Sequence, residues 1–236
     1  MPLQTVEPQR LYRQIAGQLR TLITQGEFAT GSRLPAERDL ARQLGVSRPS
    51  VREGLIAMEV EGWVEVRTGS GVYVLDRSHR AKVAQVAEGE WGPLELIRAR
   101  RVVEGEVAAM AALQAKRKDL DAMRKALSQM KLDAAQGILP LQGDRDFHTA
   151  IVQACANVVL IETVQTFWDS RRGRLYNRLV GYFETMKAWQ SAITEHEAIL
   201  TAICAHDAAA ARAAMHTHMD KSHARFSASW RKAKTS

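Results

Sequence analysis

The first quarter of the chain has apolar residues at helical spacing, separated by turn-forming residues. Between residues 9 and 25 the spacing predicts one helix, with apolar positions Leu11, Ile15, Leu19, Leu22 and Ile23. Leu40 and Leu44 lie four residues apart and predict a second, short helix. Gly45 ends it, since glycine tolerates the backbone of a tight turn. Ser47, a typical N-cap residue, then precedes a third helix. The apolar stripe of the third helix consists of Val51, Leu55 and Met58.

An alternating pattern of apolar and polar positions follows and predicts a β-hairpin. The hairpin consists of a strand at Trp63, Val64 and Val66, a tight turn over 68–71 and a returning strand over 72–74. Two short helices and a hairpin are the elements of a winged helix-turn-helix, whose second helix is the candidate recognition helix. Arg48 and Arg52 lie in the first turns of that helix, where side chains reach base edges or phosphates. A bidentate arginine contact to guanine is the expected mode of reading.

The remainder of the chain has helical periodicity and no predicted strand. Residues 76–92 lack an apolar stripe and are interpreted as a linker between a DNA-binding domain (1–75) and a second domain (93–236). The helices predicted in the second domain are 94–115, 117–136, 143–155, 158–182, 186–205 and 207–231. Breaks are predicted at 137–143, near Asn157, around Gly181 and at 206–207. The expected fold is therefore mainly α, a winged helix-turn-helix followed by an all-α antiparallel helical bundle.

The net charge does not support DNA binding, but a local cluster of arginines does. The net charge is +7, but residues 1–75 hold nine basic and eight acidic residues, so their surplus is one. The useful signal is a cluster on the reading element: Arg33, Arg38, Arg42, Arg48 and Arg52. Operator affinity is thus expected to depend on a few placed arginines and on dimerisation.

The same composition indicates a cytoplasmic protein without a membrane segment. No apolar run approaches the roughly 20 residues that span a bilayer, and the first residues lack the pattern of a secretory signal. Two cysteines, Cys155 and Cys204, make a disulfide framework unlikely and fit a reducing compartment.

The run LPAERDLARQLGVSRPSVREGL resembles the signature of the GntR family of bacterial transcription regulators. By similarity to the FadR branch of that family, the residues expected to contact DNA are Arg38, Arg48, Ser50, Arg52 and the wing-tip Gly69. The resemblance implies a homodimer in which each subunit reads one half of a palindromic double-stranded operator.

Four titratable residues of the second domain form a candidate metal site. Asp144 and His148 are four apart and so project from one helical face, while His196 and His218 lie on apolar faces of two later helices. One carboxylate and three imidazoles suit Zn, Ni, Mn or Fe(II) and leave coordination positions open. Taken alone, each histidine is more commonly a hydrogen-bonded core residue or a surface residue than a metal ligand.

The second domain also resembles the FCD effector domain that follows FadR-type DNA-binding modules. The similar segments are RARRVVEGEVAAMAA, DRDFHTAIVQACAN, HEAILTAI and AAMHTHM. The resemblance implies that Asp144, His148, His196 and His218 bind a divalent metal.

The expected effector is a small carboxylate or a sugar acid that coordinates the metal while an arginine pairs with its other end. Arg100 matches a pocket-facing arginine of FCD proteins; its alternative is a salt bridge to Glu104. WDSRRGRLYNRL resembles the corresponding helix of hexuronate-responsive regulators, which implies that Arg171 and Arg172 contact a sugar acid. Asn157 is a candidate pocket residue or helix cap.

These features predict a ligand-responsive regulator, a repressor whose effector favours one placement of the DNA-binding heads through the linker 76–92. The alternative is a metal-dependent hydrolase or lyase tethered to DNA, with Glu195 or Glu197 as the base. The chain has no nucleophile elbow, phosphate loop or Cys-x-x-Cys motif, so the regulator is favoured over an enzyme.

Overall fold

The computed structural model describes residues 10–76 and 90–228, which fall into two compact units. The first unit comprises Met1–Pro93 and Gly173–Leu179, and the second Leu94–Arg172 and Val180–Ser236. Most of the predicted linker 76–92, the start of the first predicted helix and the end of the last one lie outside the described residues.

The first unit is a winged helix-turn-helix, as the sequence predicted. Its helices are α1 (Leu11–Gln25), α2 (Glu37–Leu44) and α3 (Arg48–Val60), and its strands are β1 (Val64–Arg67) and β2 (Gly71–Val74). Gly45 ends α2 with a left-handed backbone (φ 66°), and the Ser47 hydroxyl caps α3 by accepting a hydrogen bond from the Ser50 backbone N–H at 3.2 Å.

The strands pair antiparallel in the register Val64↔Val74, and a bridge from Arg33 to Tyr73 adds a short third segment. One apolar core joins the three helices to the hairpin. Its fully buried members include Leu19, Val51, Leu55, Met58 and Val64. The predicted stripe of α3 is therefore the face that packs inside this unit.

Helices make up the described part of the chain from Pro93 onwards, including the segment Gly173–Leu179 of the first unit. They are α4 (Pro93–Gln114), α5 (Arg117–Ala135), α6 (Leu141–Ala154), α7 (Val158–Ser170), α8 (Arg174–Phe183), α9 (Met186–Cys204) and α10 (Ala208–Phe226). Three of them begin at a side-chain cap: Asn157 on α7, Thr185 on α9 and Asp207 on α10. No helix in the described ranges is long and apolar enough to cross a membrane.

The prediction of one helix over 158–182 is wrong. The chain turns at 171–173, and α8 continues through Gly181 instead of breaking there. The Glu90 carboxylate accepts a hydrogen bond from the Leu175 backbone N–H at 2.7 Å within the first unit. The Glu90 carboxylate, 85 residues away along the chain, thus pairs with a backbone N–H at the start of α8. The local spacing of apolar residues does not predict such a contact.

Candidate metal centre and DNA-reading surface

Two arginines of the helix-turn-helix are displayed to solvent. Arg38 on α2 has a side chain that is 79% exposed and only a long contact to Asp39, 3.4 Å between Nε and Oδ1. Arg48 is the exposed first residue of α3, next to the Ser47 cap. Ser50 is half-buried and its hydroxyl lies 2.8 Å from that of Ser47. The cap thus fixes the first turn of α3, with Arg48 on its outer side.

Arg52 is placed differently from the sequence-based expectation that it is displayed on the recognition helix. Its side chain is only 3% exposed and forms a bidentate pair with Glu37, with Nε to Oε1 at 3.0 Å and Nη2 to Oε2 at 2.7 Å. The pair joins the start of α2 to the first half of α3. Burial and a close carboxylate decide this position, and neither is visible in the spacing of arginines.

The tip of the hairpin has the backbone that the sequence predicted for a tight turn. Gly69 is exposed and has φ 82°, a left-handed conformation that side chains disfavour. The Arg67 guanidinium lies over the Tyr73 ring, with Cζ 4.5 Å from the ring centroid. Arg67, which was not among the residues predicted to contact DNA, is half-exposed on the wing and pairs with Glu65 at 2.7 Å.

In the second unit, four side chains from three helices converge on one point. Asp144 and His148 come from α6, His196 from α9 and His218 from α10, and one ligand atom of each lies within 4.8 Å of the others. His196 Nε2 is 3.0 Å from Asp144 Oδ1 and 3.3 Å from His148 Nε2. All four residues are buried. We call this group the Asp–His cluster.

Each histidine of the Asp–His cluster uses Nδ1 for a hydrogen bond to an oxygen outside the cluster. His148 donates to Glu104 Oε2, His196 donates to the Ala192 carbonyl at 2.6 Å, and His218 donates to Glu195 Oε2 at 2.8 Å. Carbonyl and carboxylate oxygens only accept, so Nδ1 carries the proton in each ring. The Nε2 lone pairs therefore remain for the centre of the cluster.

The charge state of the Asp–His cluster is the one that a metal requires. Burial alone would raise the pKa of Asp144, but the guanidinium of Arg171 beside it holds that pKa well below its usual range. Burial lowers the pKa of His148, and burial with neighbouring His196 lowers that of His218 to about 3. The cluster thus offers one carboxylate and, at His148 and His218, neutral imidazoles, the forms that ligate a divalent ion.

The approach of two Nε2 atoms tests whether the donor set fits such an ion. Two neutral imidazoles that keep their protons on Nδ1 present lone pairs to each other at 3.3 Å, which is repulsive unless an electrophile lies between them. A divalent metal supplies that electrophile. The residues present fit a Zn-, Ni-, Mn- or Fe-type ion, which would offer a carboxylate ligand a Lewis-acidic coordination position.

Two arginines stack on one tryptophan beside the Asp–His cluster. Arg171 binds Asp144 Oδ2 with Nη1 at 3.0 Å, and its Cζ lies 4.0 Å from the Trp168 ring centroid. Arg100 lies 4.5 Å from the same centroid and pairs with Glu104, with Nε to Oε1 at 2.6 Å. Of the two alternatives for Arg100, the structure shows the Glu104 salt bridge, with the guanidinium against Trp168.

Two other candidate effector residues are not brought to the Asp–His cluster. Asn157 is exposed, and its side chain accepts a hydrogen bond from the Leu160 backbone N–H at 3.2 Å, so it caps α7. The Arg172 side chain is 72% exposed and lies 3.9 Å from Asp169. The structure thus separates Arg172 from its neighbour Arg171, because the turn at 171–173 directs consecutive side chains to different surroundings.

The comparisons with known proteins match both units. The family model described as "Bacterial regulatory proteins, gntR family" matches residues 11–74, and that of the FCD domain matches residues 95–221. The chain belongs to the GntR family and carries an FCD domain.

Relatives of this GntR-family regulator are transcription regulators. The Uxu operon transcriptional regulator of Escherichia coli (strain K12) is 36% identical over 90% of this chain and 85% of its own length. The Exu regulon transcriptional regulator of the same organism is 34% identical over 92% and 85%. The solved structure of E. coli McbR/YncC covers 92% of this chain and 97% of its own, with TM-score 0.52 and 21% identity, and shows the same fold. The chain is a DNA-binding regulator with an effector domain, and the hydrolase or lyase alternative is rejected.

Sequence reasoning missed the residues that orient the histidines of this GntR-family regulator. Glu104 and Glu195 accept hydrogen bonds from the Nδ1 atoms of His148 and His218, and Arg225 binds Glu195 with Nη1 at 3.1 Å. The one local signal was the spacing of Arg100 and Glu104, four residues apart on one helix. Glu195 and Arg225 meet only through the packing of α9 against α10.

Proposed function

We propose that this GntR-family regulator is a homodimeric repressor that releases a palindromic operator when a sugar acid binds a metal ion in its FCD domain. The observation that carries the proposal is the Asp–His cluster, in which donors from three helices present Nε2 lone pairs and a carboxylate to one point. Binding to the chromosome would place it in the cytoplasm.

The metal ligands in this proposal are Asp144, His148, His196 and His218. Glu104 and Glu195 fix the ring orientation of two of these histidines, as acceptors behind metal-bound imidazoles commonly do. Arg171 neutralises the Asp144 oxygen that faces away from His196.

Both the charge of the site and the relatives favour a hexuronate as the effector. A hexuronate has one carboxylate and several hydroxyls, so it suits an open metal position flanked by the guanidinium of Arg171. The names of the Uxu and Exu regulators support this class, since those proteins govern the Uxu operon and the Exu regulon.

The DNA-reading residues in this proposal are Arg38 and Arg48, with Ser50 and the wing backbone at Gly69 beside them. Arg52 contributes by holding α3 against α2 through Glu37. Operator affinity therefore depends on displayed arginines on a rigidly placed helix.

The DNA half of the proposal is tested with an operator selected by the wild-type protein from a random duplex library. Arg48→Ala should weaken binding more than tenfold in a gel shift, since one lost base contact costs about 1–3 kcal/mol in each half-site. Arg117→Ala removes an exposed arginine of the second unit and should leave affinity unchanged. Wild-type affinity in Arg48→Ala would contradict the reading surface.

The sensor half is tested by metal content and by effector response. His196→Ala should lose bound metal in elemental analysis, because one of four ligands is gone, whereas His216→Ala, outside the Asp–His cluster, should keep it. In the wild type, D-glucuronate or D-galacturonate should raise the melting temperature and release the operator only when a divalent metal is present. A fully metallated His196→Ala variant would remove His196 from the ligand set.

A further inference from the structure

A cavity of the FCD domain has a lining that does not include the residues of the Asp–His cluster. It has a volume of about 420 Å³ and is lined by residues from the end of α8, the start of α9 and the end of α10. Its lining contains none of Asp144, His148, His196 or His218. It also contains none of the four arginine and asparagine positions that the sequence assigned to the effector.

The lining combines an apolar wall with a surplus of positive charge. Phe183, Ala188 and Ala224 are among its apolar members. Lys187, Lys221 and Arg225 supply three cations and Glu195 one carboxylate, which leaves a surplus of two positive charges. A cavity of this composition favours an organic anion with an apolar body.

The cations retain capacity to bind such an anion. Arg225 directs Nη1 to Glu195, and its Nε and Nη2 make no hydrogen bond to the residues that the structure describes. Lys221 is half-exposed and lies 3.7 Å from Glu195, and Lys187 is exposed without an ion pair to a described acid. Because Glu195 is already bound by His218 and Arg225, it does not neutralise both lysines.

We propose that the cavity lined by Phe183, Lys187, Glu195, Lys221, Ala224 and Arg225 is a second ligand site that binds an aliphatic monocarboxylate. The carboxylate is held by the two lysines and the outer nitrogens of Arg225, and the hydrocarbon chain covers Phe183 and Ala224. Glu195 forms one end of the cavity and also binds His218, so the site lies behind that imidazole, on its Nδ1 side.

The test uses the full-length protein with octanoate as the probe and excess EDTA, so that no metal ion can hold the carboxylate. Isothermal titration calorimetry should show one saturable octanoate site, with 1-octanol and octylammonium binding at least tenfold more weakly. Lys187→Met with Lys221→Met should weaken octanoate roughly fivefold or more. Lys125→Met, an exposed lysine of α5, is the matched control and should not change the affinity.

Ala224→Phe fills the cavity from an exposed position of α10 and should abolish octanoate binding, whereas Ala213→Phe on the same helix should not. Circular dichroism confirms that both variants are folded. The proposal is overturned if octanoate does not saturate, if octanol binds as well as octanoate, or if binding survives both Ala224→Phe and the double lysine change. Loss of octanoate binding in Arg171→Ala but not in Ala224→Phe would assign the carboxylate to the Asp–His cluster and also overturns it.

Discussion

Three buried carboxylates surround the histidines of the FCD domain, and each is paired with an arginine. Glu104 pairs with Arg100, Asp144 with Arg171 and Glu195 with Arg225. Burial alone would raise the pKa of Glu104, but Arg100 and His148 lower it to about 2. These acids therefore stay ionised. Glu104 and Glu195 accept hydrogen bonds from the imidazoles of His148 and His218, and Asp144 offers its carboxylate to the centre of the cluster.

Glu184 behaves in the opposite way, which leads to a prediction at the scale of one residue. Burial raises its pKa from 4.5 to about 7, although Arg171 and Arg225 oppose the shift. Because the folded pKa exceeds the unfolded one, its contribution to stability is fully present below pH 4.5 and is lost as the pH rises through 7. Glu184→Gln should remove this loss, so the variant gains stability relative to the wild type between pH 5 and pH 8.

The measurement is the denaturant midpoint of both proteins with EDTA at each pH. Histidine titration is common to both proteins and cancels in the difference. A difference in midpoint that stays constant from pH 5 to pH 8 would show that Glu184 titrates normally.

At the scale of elements, the helix-turn-helix is held by one apolar stripe and one buried ion pair. The spacing of Val51, Leu55 and Met58 predicted the apolar stripe of α3, and all three residues are fully buried. The spacing did not predict the ion pair between Glu37 and Arg52, because the partners lie 15 residues apart on different helices. The sequence therefore predicted the helix proposed to recognise DNA, and packing decided which of its arginines is exposed.

Whether Arg52 holds α3 against α2 or contacts DNA can be tested with Glu37→Gln. Breaking a buried pair by removing one partner costs about 3 kcal/mol, so the variant should unfold at lower denaturant and bind the operator more weakly. If Arg52 instead reads DNA, Glu37→Gln would free its guanidinium, and operator affinity would rise or stay constant. Glu37→Gln combined with Arg52→Met should recover part of the lost stability, because no charge is then left unpaired.

At the scale of the whole molecule, the Asp–His cluster links α6, α9 and α10, while Arg38 and Arg48, the arginines proposed to read DNA, belong to the other unit. A bound metal therefore connects three helices that have no covalent cross-link, since Cys155 and Cys204 are both free. The resulting stabilisation should be confined to the second unit.

Hydrogen exchange followed by mass spectrometry tests this expectation. At a Zn²⁺ concentration of about 100 Kd, the amides of α6, α9 and α10 that exchange by global opening of the second unit should slow about a hundredfold. The amides of α1–α3 should be unchanged, and EDTA should reverse the effect. Protection of α1–α3 to the same degree, or no protection in α6, would contradict a metal held by the Asp–His cluster.

The sequence alone determined the fold class and the family resemblance, and it pointed to the proposed reading helix and to the four residues of the Asp–His cluster. Helical and strand periodicities are local, and the four residues occupy motif positions of the FCD segments that the chain resembles. Only the tertiary structure decided that Arg52 is buried against Glu37, that Arg172 lies away from Arg171, and that Glu195 and Arg225 support His218. Those outcomes depend on burial and on partners from distant helices, and neither property is encoded in the spacing of neighbouring residues.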